Sequence, residues 1–442
     1  MHRNLKTIGN NLNIQNIMEL ENGKIVHLTN GETAKVVKEL GRGGQGIVYL
    51  VEHNGQKMAL KWYLQMPKDE FYDNLKENVS NGSPSDAFLW PKYLTIKEYG
   101  SCGYVMNLRP EGFYELTQFM LAHVFFDSYK VMLGAAMNVV HAFKQLHAEG
   151  YSYQDVNEGS FFIHPQTGHV FVCDNDNVSA NNTYSGILGK SRYMAPEVVI
   201  GNGDVLPNKY SDRFSLPIIL FLILFNNHPF EGANALKKAC LTEEAERNLY
   251  GLNPVFICDP NEASNRPVKG VHNNVIKRWP IFPKILREEF EKAFSKESIK
   301  NPKKRTLEEQ WEKVISAARC QLIECPYCHE ETFVENEGTN KKCMNCNRMF
   351  NISNALQFSD TRQVSLTRGT KIFVDRDNTP DIEVFEKDQN LWLKNLTEVN
   401  WQCTTVSGKI KMVVPLDSLP VKTGIKISFG NNIGVKAEIV NL

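Results

Sequence analysis

A glycine-rich turn held between strands narrows the folds open to this chain. Gly41-Arg42-Gly43-Gly44-Gln45-Gly46-Ile47-Val48 fits the spacing G-x-G-x-x-G-x-V. Glycines let a backbone come close to phosphate oxygens, because no side chain intervenes. The spacing alone is weak, since a dinucleotide-binding turn shares it and there opens a helix. Here Ile47-Val48-Tyr49-Leu50-Val51 reads as a strand, Asn54-Gly55 as a hairpin turn, and Lys57-Met58-Ala59-Leu60-Lys61 as the returning strand. The bland reading is a glycine-rich hairpin. It leaves unexplained why Lys61 sits inside the second strand, 15 residues after Gly46.

The 442 residues suggest about three domains. Lys and Arg total 50, as do Asp and Glu, so the net charge is zero and nothing favours a nucleic acid or an acidic membrane as partner. The longest apolar run, Leu216 to Phe225, holds ten residues including Pro217, which suits a buried helix and falls short of the ~20 a membrane span needs. The polar, Asn-rich start carries no apolar signal segment, so a cytoplasmic location is expected. Ten cysteines are too sparse for a disulfide scaffold, and four of them lie in two tight pairs.

Residues 1–28 read as a flexible lead-in. Strands dominate from Ala34 to Tyr63, a helix is expected from Asp69 to Val79, and a strand returns at Tyr104-Val105-Met106. Residues 128–149, 211–226 and 285–319 read as helical. A strand-rich lobe thus precedes a helical one. A Cys-rich insert follows at 320–352, and then short strand-like runs separated by Gly, Asn, Asp and Pro turns suggest an all-β sandwich or barrel over 360–442.

Further motifs follow the glycine loop in order. His147-Ala148-Glu149-Gly150-Tyr151-Ser152-Tyr153-Gln154-Asp155-Val156-Asn157-Glu158-Gly159-Ser160 resembles the catalytic loop that protein kinases write H-R-D-L-x-x-x-N. Val170-Phe171-Val172-Cys173-Asp174-Asn175-Asp176 resembles a strand entering D-F-G, and Gly189-Lys190-Ser191-Arg192-Tyr193-Met194-Ala195-Pro196-Glu197 resembles G-T-x-x-Y-M-A-P-E. Each match alone could be a surface or capping group. Their order and spacing across residues 33–316 make the chain similar to the protein kinase family. The resemblance implies an α+β, bilobal kinase-like fold over 29–318, with the small lobe at about 29–108 and the large lobe at about 109–318. It implies ATP and magnesium, or manganese, as cofactors. Gly41, Gly43 and Gly46 would cradle phosphates, and Lys61 would hold them. Val48, Ala59, Met106, Asn107 and Arg109 would surround the base. Asp155 would take or orient the substrate hydroxyl proton, and Asp174 would bind the metal. An acidic residue on the following helix would orient Lys61. Asp73 and Glu77 both qualify, and Glu77 is preferred. Arg305 would form a structural ion pair with Glu197.

Several positions depart from the family pattern. Ser160 stands where the metal-binding Asn is usual, Asn157 where a lysine lies near the transferred phosphate, and Asp176 where D-F-G has glycine. Asp176 either supplies a second carboxylate that offsets Ser160 or caps a turn. Gln154 replaces the Arg that usually grips a phosphorylated activation loop, so loop phosphorylation is not expected to be required. Lys190 replaces the usual Thr near the substrate hydroxyl. The absence of an Arg-rich tyrosine-kinase catalytic loop favours serine or threonine as acceptor.

Cys325-Pro326-Tyr327-Cys328 and Cys343-Met344-Asn345-Cys346 are separated by 14 residues. Two such pairs suit one tetrahedral zinc ion in a ribbon over 320–352, and four thiolates close its shell, so the expected role is structural. Cys320 and His329 read as bystanders. The few basic residues there, Lys341, Lys342 and Arg348, read as a solvated face. Leu391-Trp392-Leu393-Lys394-Asn395-Leu396-Thr397 and Gly424-Ile425-Lys426-Ile427-Ser428-Phe429-Gly430 resemble forkhead-associated sandwiches, without their phosphothreonine-binding Arg and Ser-x-x-His elements. The whole order resembles bacterial eukaryotic-like serine/threonine kinases whose genes neighbour a metal-dependent protein phosphatase and a von Willebrand A-type protein, as in tellurite-resistance-like clusters. Those two proteins are the partners the analogy implies, beside a protein substrate. The rival expectation is a nucleotide-binding pseudokinase scaffold that recruits partners through the ribbon and β module. A ribbon-driven nucleic-acid adaptor is a more distant rival, against which the zero net charge speaks.

Overall fold

The computed structural model describes residues 19–181, 183, 189–201, 203–237, 242–335, 338–375, 379–430 and 434–442. The chain divides into two compact units. The first runs to Ser83 and resumes over Leu89–Arg109. The second holds Pro84–Phe88 and everything after Pro110.

The first unit is one antiparallel sheet with a helix. Its strands are β1 (Ile25–His27), β2 (Thr33–Arg42), β3 (Gly46–His53), β4 (Gln56–Tyr63), β5 (Pro91–Leu94) and β6 (Gly103–Asn107), in the order β1-β2-β3-β4-β6-β5. Asn54 and Gly55, both at positive φ, make the expected hairpin turn. Alternation gives the sheet two faces. Ile47, Tyr49 and Val51 of β3 join Met58, Leu60 and Trp62 of β4 in a buried cluster with Val26 and Leu20. The expected lead-in therefore needs correcting. Residues 1–18 lie outside the described residues, but Leu20 and β1 belong to this core.

Helix α1 (Asp69–Asn81) buries Phe71, Leu75 and Asn78, one stripe at i, i+4 and i+7. In the second unit, α2 (Leu116–Met120) precedes α3 (Tyr129–Ala148), whose first turn is capped by the Ser128 hydroxyl accepting from the Val131 amide at 3.2 Å. After α4 (Pro196–Gly201) comes α5 (Lys209–Phe225), which starts in a capping box between Asn208 and Ser211 and stops at Asn226 in the left-handed region. Its run from Phe214 to Phe225 is buried all round, as the apolar stretch requires. Among the described residues no helix is long and apolar enough to cross a membrane. Residues 285–319 are not one helix. They form Lys284–Ala293, then Lys296–Lys300, capped by Ser295, and, beyond Pro302, Glu308–Cys320.

Two ion-pair networks join these helices. Arg305 grips Glu197 with two parallel bonds of 2.8 and 2.7 Å, gives a third to the Tyr210 carbonyl at 2.8 Å, and lies over the Phe214 ring. This is the ion pair that the sequence suggests. The second centres on His147, whose Nε2 lies 3.1 Å from Asp212 and whose Nδ1 lies 2.8 Å from Glu308. Arg213 holds the same Glu308 through two bonds. Burial opposes a charge on the His147 ring, but the two carboxylates outweigh it and raise its pKa to about 9. The same pairing outweighs burial at Glu308 and lowers its pKa to about 2.

The Cys-rich segment is two hairpins. Leu322–Glu324 pairs with Glu331–Phe333, and Asn340–Lys342 pairs with Met349–Asn351. Lys341 is turned inward and donates to the Glu335 carbonyl, so it does not belong to a solvated face. Beyond lie two antiparallel sheets, of six and four strands, that contribute to one buried cluster including Trp401, Leu393 and Ile439. This region begins before residue 360. Strand Asn354–Phe358 pairs along the last strand, Lys436–Asn441.

Replacing Arg305 by Ala leaves the Glu197 carboxylate without its bidentate partner. We expect a loss of ~3–5 kcal/mol, read as a lower urea midpoint, with only partial recovery in Arg305→Lys. The folded pKa of His147 lies above its ordinary 6.5. Its stabilisation is therefore complete below pH ~6.5 and fades as pH rises through about 9. The melting temperature should fall over that window in the wild type, and His147→Gln should flatten the slope.

Candidate active site

The register of the first unit sets out one group of expected residues. Val48 lies opposite Lys61, Ala59 opposite Met106, and Lys61 opposite Tyr104. Residues directly opposite project to one face. Val48, Ala59, Lys61 and Met106 therefore share the face turned away from the Ile47 and Trp62 core. The glycines divide by cause. A Cβ at Gly46 would lie 2.6 Å from the Trp62 carbonyl, so glycine is needed there for strand packing. At Gly41 and Gly43 a Cβ would meet nothing closer than 3.9 Å, and both are exposed. Asn107 and Arg109 are exposed at the end of β6. Lys61 is buried, its ammonium 5.8 Å from the Tyr63 ring centre.

Glu77 and Asp73 both lie on the exposed side of α1, because the helix turns its Phe71, Leu75 and Asn78 stripe inward. The buried polar residue of the helix is Asn78, whose carbonyl accepts from the Trp90 indole at 2.9 Å.

The second unit assembles the other group. Buried Asp212 accepts from the amides of Tyr153 at 2.6 Å and Gln154 at 3.1 Å. Gln154 is held at φ 71° and its side-chain amide binds Ser152, Ser179 and the Thr183 carbonyl. This turn presents Asp155. Asn157 donates to the Asp155 carbonyl at 3.0 Å and to its Oδ1 at 3.4 Å, and Asn177 reaches Oδ2 at 3.4 Å. The Tyr153 hydroxyl donates to the Cys173 carbonyl, and the Cys173 amide to the Ser160 carbonyl at 2.9 Å. Those bonds tie the Asp155 loop to the Asp174 segment. Asp174 takes a left-handed conformation, φ 55°, as the chain enters the turn Asn175–Asn177. Asp176 is fully buried within that turn.

Burial raises the pKa of Asp155, and the carboxylates of Asp174 and Asp176 raise it further against Lys190 and Asn157. Ser160 Oγ, Asn175 Oδ1 and Asn177 Oδ1 are buried oxygens without a hydrogen-bond partner among the described residues. These segments supply carboxylate, hydroxyl and amide oxygens, the donor types that a hard cation such as magnesium takes. Asn177 escaped the sequence reading. Its contact with Asp155 spans 22 residues, and no motif marks it.

The four cysteines converge as well. All four sulfurs lie within 4.8 Å of one another, with Cys325 to Cys346 at 3.8 Å and Cys328 to Cys343 at 3.7 Å. A tetrahedron of Zn–S bonds near 2.3 Å has edges of about 3.8 Å. The amides of Asn345 and Cys346 donate to the Cys343 sulfur at 3.3 and 3.4 Å. His329 stands outside the group, paired with Glu324 at 3.0 Å.

The comparisons agree with this geometry. Protein kinase YegI of Escherichia coli strain K12 is 23% identical over 329 residues, covering 68% of this chain and 47% of that protein. Serine/threonine-protein kinase PrkC of Bacillus subtilis strain 168 is 22% identical over 434 residues, covering 92% of this chain and 65% of that protein. A cGMP-dependent protein kinase of Drosophila melanogaster is 25% identical over 213 residues, 46% of this chain and 22% of its own length. The chain thus spans about half the length of YegI and less of the fly kinase. The family model described as the protein kinase domain matches residues 34–310, more than half of the chain, which therefore belongs to the protein kinase family.

Proposed function

We propose that the chain is an ATP- and magnesium-dependent serine/threonine protein kinase. The observation that carries the reading is the turn that presents Asp155 and is tied to the Asp174 segment through Asn177, Tyr153 and Ser160. Asp174, with Ser160 and Asp176, would hold the magnesium, which when bound offsets the charge of the nucleotide phosphates. Asp155 accepts the proton of the substrate hydroxyl. Asn157 and Asn177 hold that carboxylate in place. On the first unit, Lys61 pairs with phosphate, the open loop at Gly41 and Gly43 leaves room for it, and Val48, Ala59 and Met106 offer an apolar face to the base. Asn107 and Arg109, at the end of β6, would meet its edge.

Gln154 supports independence from loop phosphorylation. A neutral amide with its bonds already made stands where a phosphate-gripping cation would be needed. The four-cysteine group would bind a structural zinc. A metal-dependent phosphatase and a von Willebrand A-type protein are the partners proposed from the resemblance, and the two-sheet region is read as a forkhead-associated-like module for protein contacts. A nucleotide-binding scaffold is the second reading, favoured by Ser160 and Asn157, which weaken the metal site and remove a charge.

Transfer of labelled phosphate from ATP with magnesium, into the protein itself and a generic acceptor, separates the two. Asp155→Ala and Asp174→Ala should each lose about 10²–10⁴-fold, and phosphatase-treated wild type should stay active. Intact ATP binding without transfer in the wild type would favour the scaffold. One zinc per chain is expected by elemental analysis. Its removal by a chelator should lower the melting temperature, and Cys328→Ser should do the same without a chelator. A metal-free protein with an unchanged melting curve would discard the zinc assignment.

A further inference from the structure

We propose that the Lys190 ammonium is the cation this chain presents to the γ-phosphoryl group of ATP beside Asp155. The proposal rests on the kinase reading above. A phosphoryl group carries negative charge into a site already crowded with carboxylates, so a fixed cation beside Asp155 lowers the energy of transfer. Lys190 is a cation whose field acts on Asp155. Its Nζ lies 3.3 Å from Asn157 Oδ1, and the Asn157 amide in turn donates to Asp155. Gly189 takes φ +89° so close to the catalytic loop that a Cβ there would lie 3.1 Å from Asp155 Oδ1 and 3.4 Å from the Gln154 carbonyl.

The side chain is placed to serve a ligand. It is 57% exposed, and its ion pair with Glu158 is long, at 3.6 Å, so it exchanges easily for a phosphate oxygen. Position 157, where the family resemblance places a lysine, here holds an asparagine. Position 190, where it places a threonine, holds the lysine. The positive charge absent from position 157 thus stands on Lys190, 3.3 Å from the Asn157 side chain. In the step itself the acceptor hydroxyl oxygen forms a bond to the γ-phosphorus. The bond to the β,γ-bridging oxygen breaks, and ADP leaves with that electron pair. The hydroxyl proton passes to the Asp155 carboxylate. Lys190 gives up no proton and stabilises the non-bridging oxygens by charge and hydrogen bonding.

The test uses the full chain with magnesium and two readouts, kcat for transfer and the ratio of ATP to ADP affinity by calorimetry. Lys190→Ala should lower kcat by about 10²-fold. It should also cut the preference for ATP over ADP by about tenfold while ADP affinity holds. Lys190→Arg should retain most of both. The double variant Asn157→Lys/Lys190→Ala, which moves the charge back across the contact, should recover most of both. A Lys190→Ala protein with kcat within about twofold of wild type and an unchanged ATP preference would overturn the proposal. So would a loss of kcat with an unchanged preference and no recovery in the double variant, which would make Lys190 a tether for its loop. If the wild type transfers nothing but Lys190→Ala still loses the ATP preference, the kinase reading fails and the phosphate assignment stands.

Discussion

The Asp155 loop depends on the carboxylate of Asp212, which is buried near the start of α5. It accepts two consecutive backbone amides, Tyr153 and Gln154, and also faces the His147 ring. A non-glycine residue at positive φ persists only where its surroundings over-determine it. Gln154 meets that condition, since its amide, side chain and neighbours are all engaged. Burying such charges costs desolvation energy, which the pairing with His147, Glu308 and Arg213 offsets. What results is a fixed direction for Asp155. The network also ties α3, α5 and the helix Glu308–Cys320, so the loop is anchored to three helices at once.

The two units solve different physical problems. In the first, one face of the sheet is buried with Leu20 and the other carries Val48, Ala59, Lys61 and Met106. In the second, the Asp155 loop is held against the Asp174 segment. Burial and like charge raise the Asp155 pKa, and several oxygens nearby lack partners.

The regions after residue 320 are packed into the second unit, not tethered to it. Phe333 of the first hairpin meets Tyr129 of α3 and Phe282 at ring distances of 5.5 and 5.0 Å. Glu331 caps the Lys130 amide. Arg362 reaches Ser316 on the helix Glu308–Cys320 and the carbonyls of Phe373 and Val374. Cys320, which has no place among the metal thiols, is the last residue of that helix and part of the β-region core. Loss of the four-cysteine group would therefore be felt in the packing of the large helical region.

Local rules of the chain decided a good deal. The hairpin of β3 and β4 was legible from its two strand-like runs and Asn54-Gly55, and the register then put Val48 opposite Lys61. Spacing alone brought two cysteine pairs to one point, because each short hairpin turn orients both of its sulfurs. Pairing of Glu197 with Arg305 was legible through motif order. Tertiary packing decided the rest. Asp73 and Glu77 share a helix face by spacing, but only the docking of Phe71 and Leu75 turns that face to solvent. The β region starts at Asn354 because its first strand pairs with the last one, across more than 80 residues that no local signal spans. The contacts of Asn177 with Asp155 and of Lys190 with Asn157 join segments 22 and 33 residues apart. Sequence supplied those side chains, and the folded path of the chain determined which of them meet.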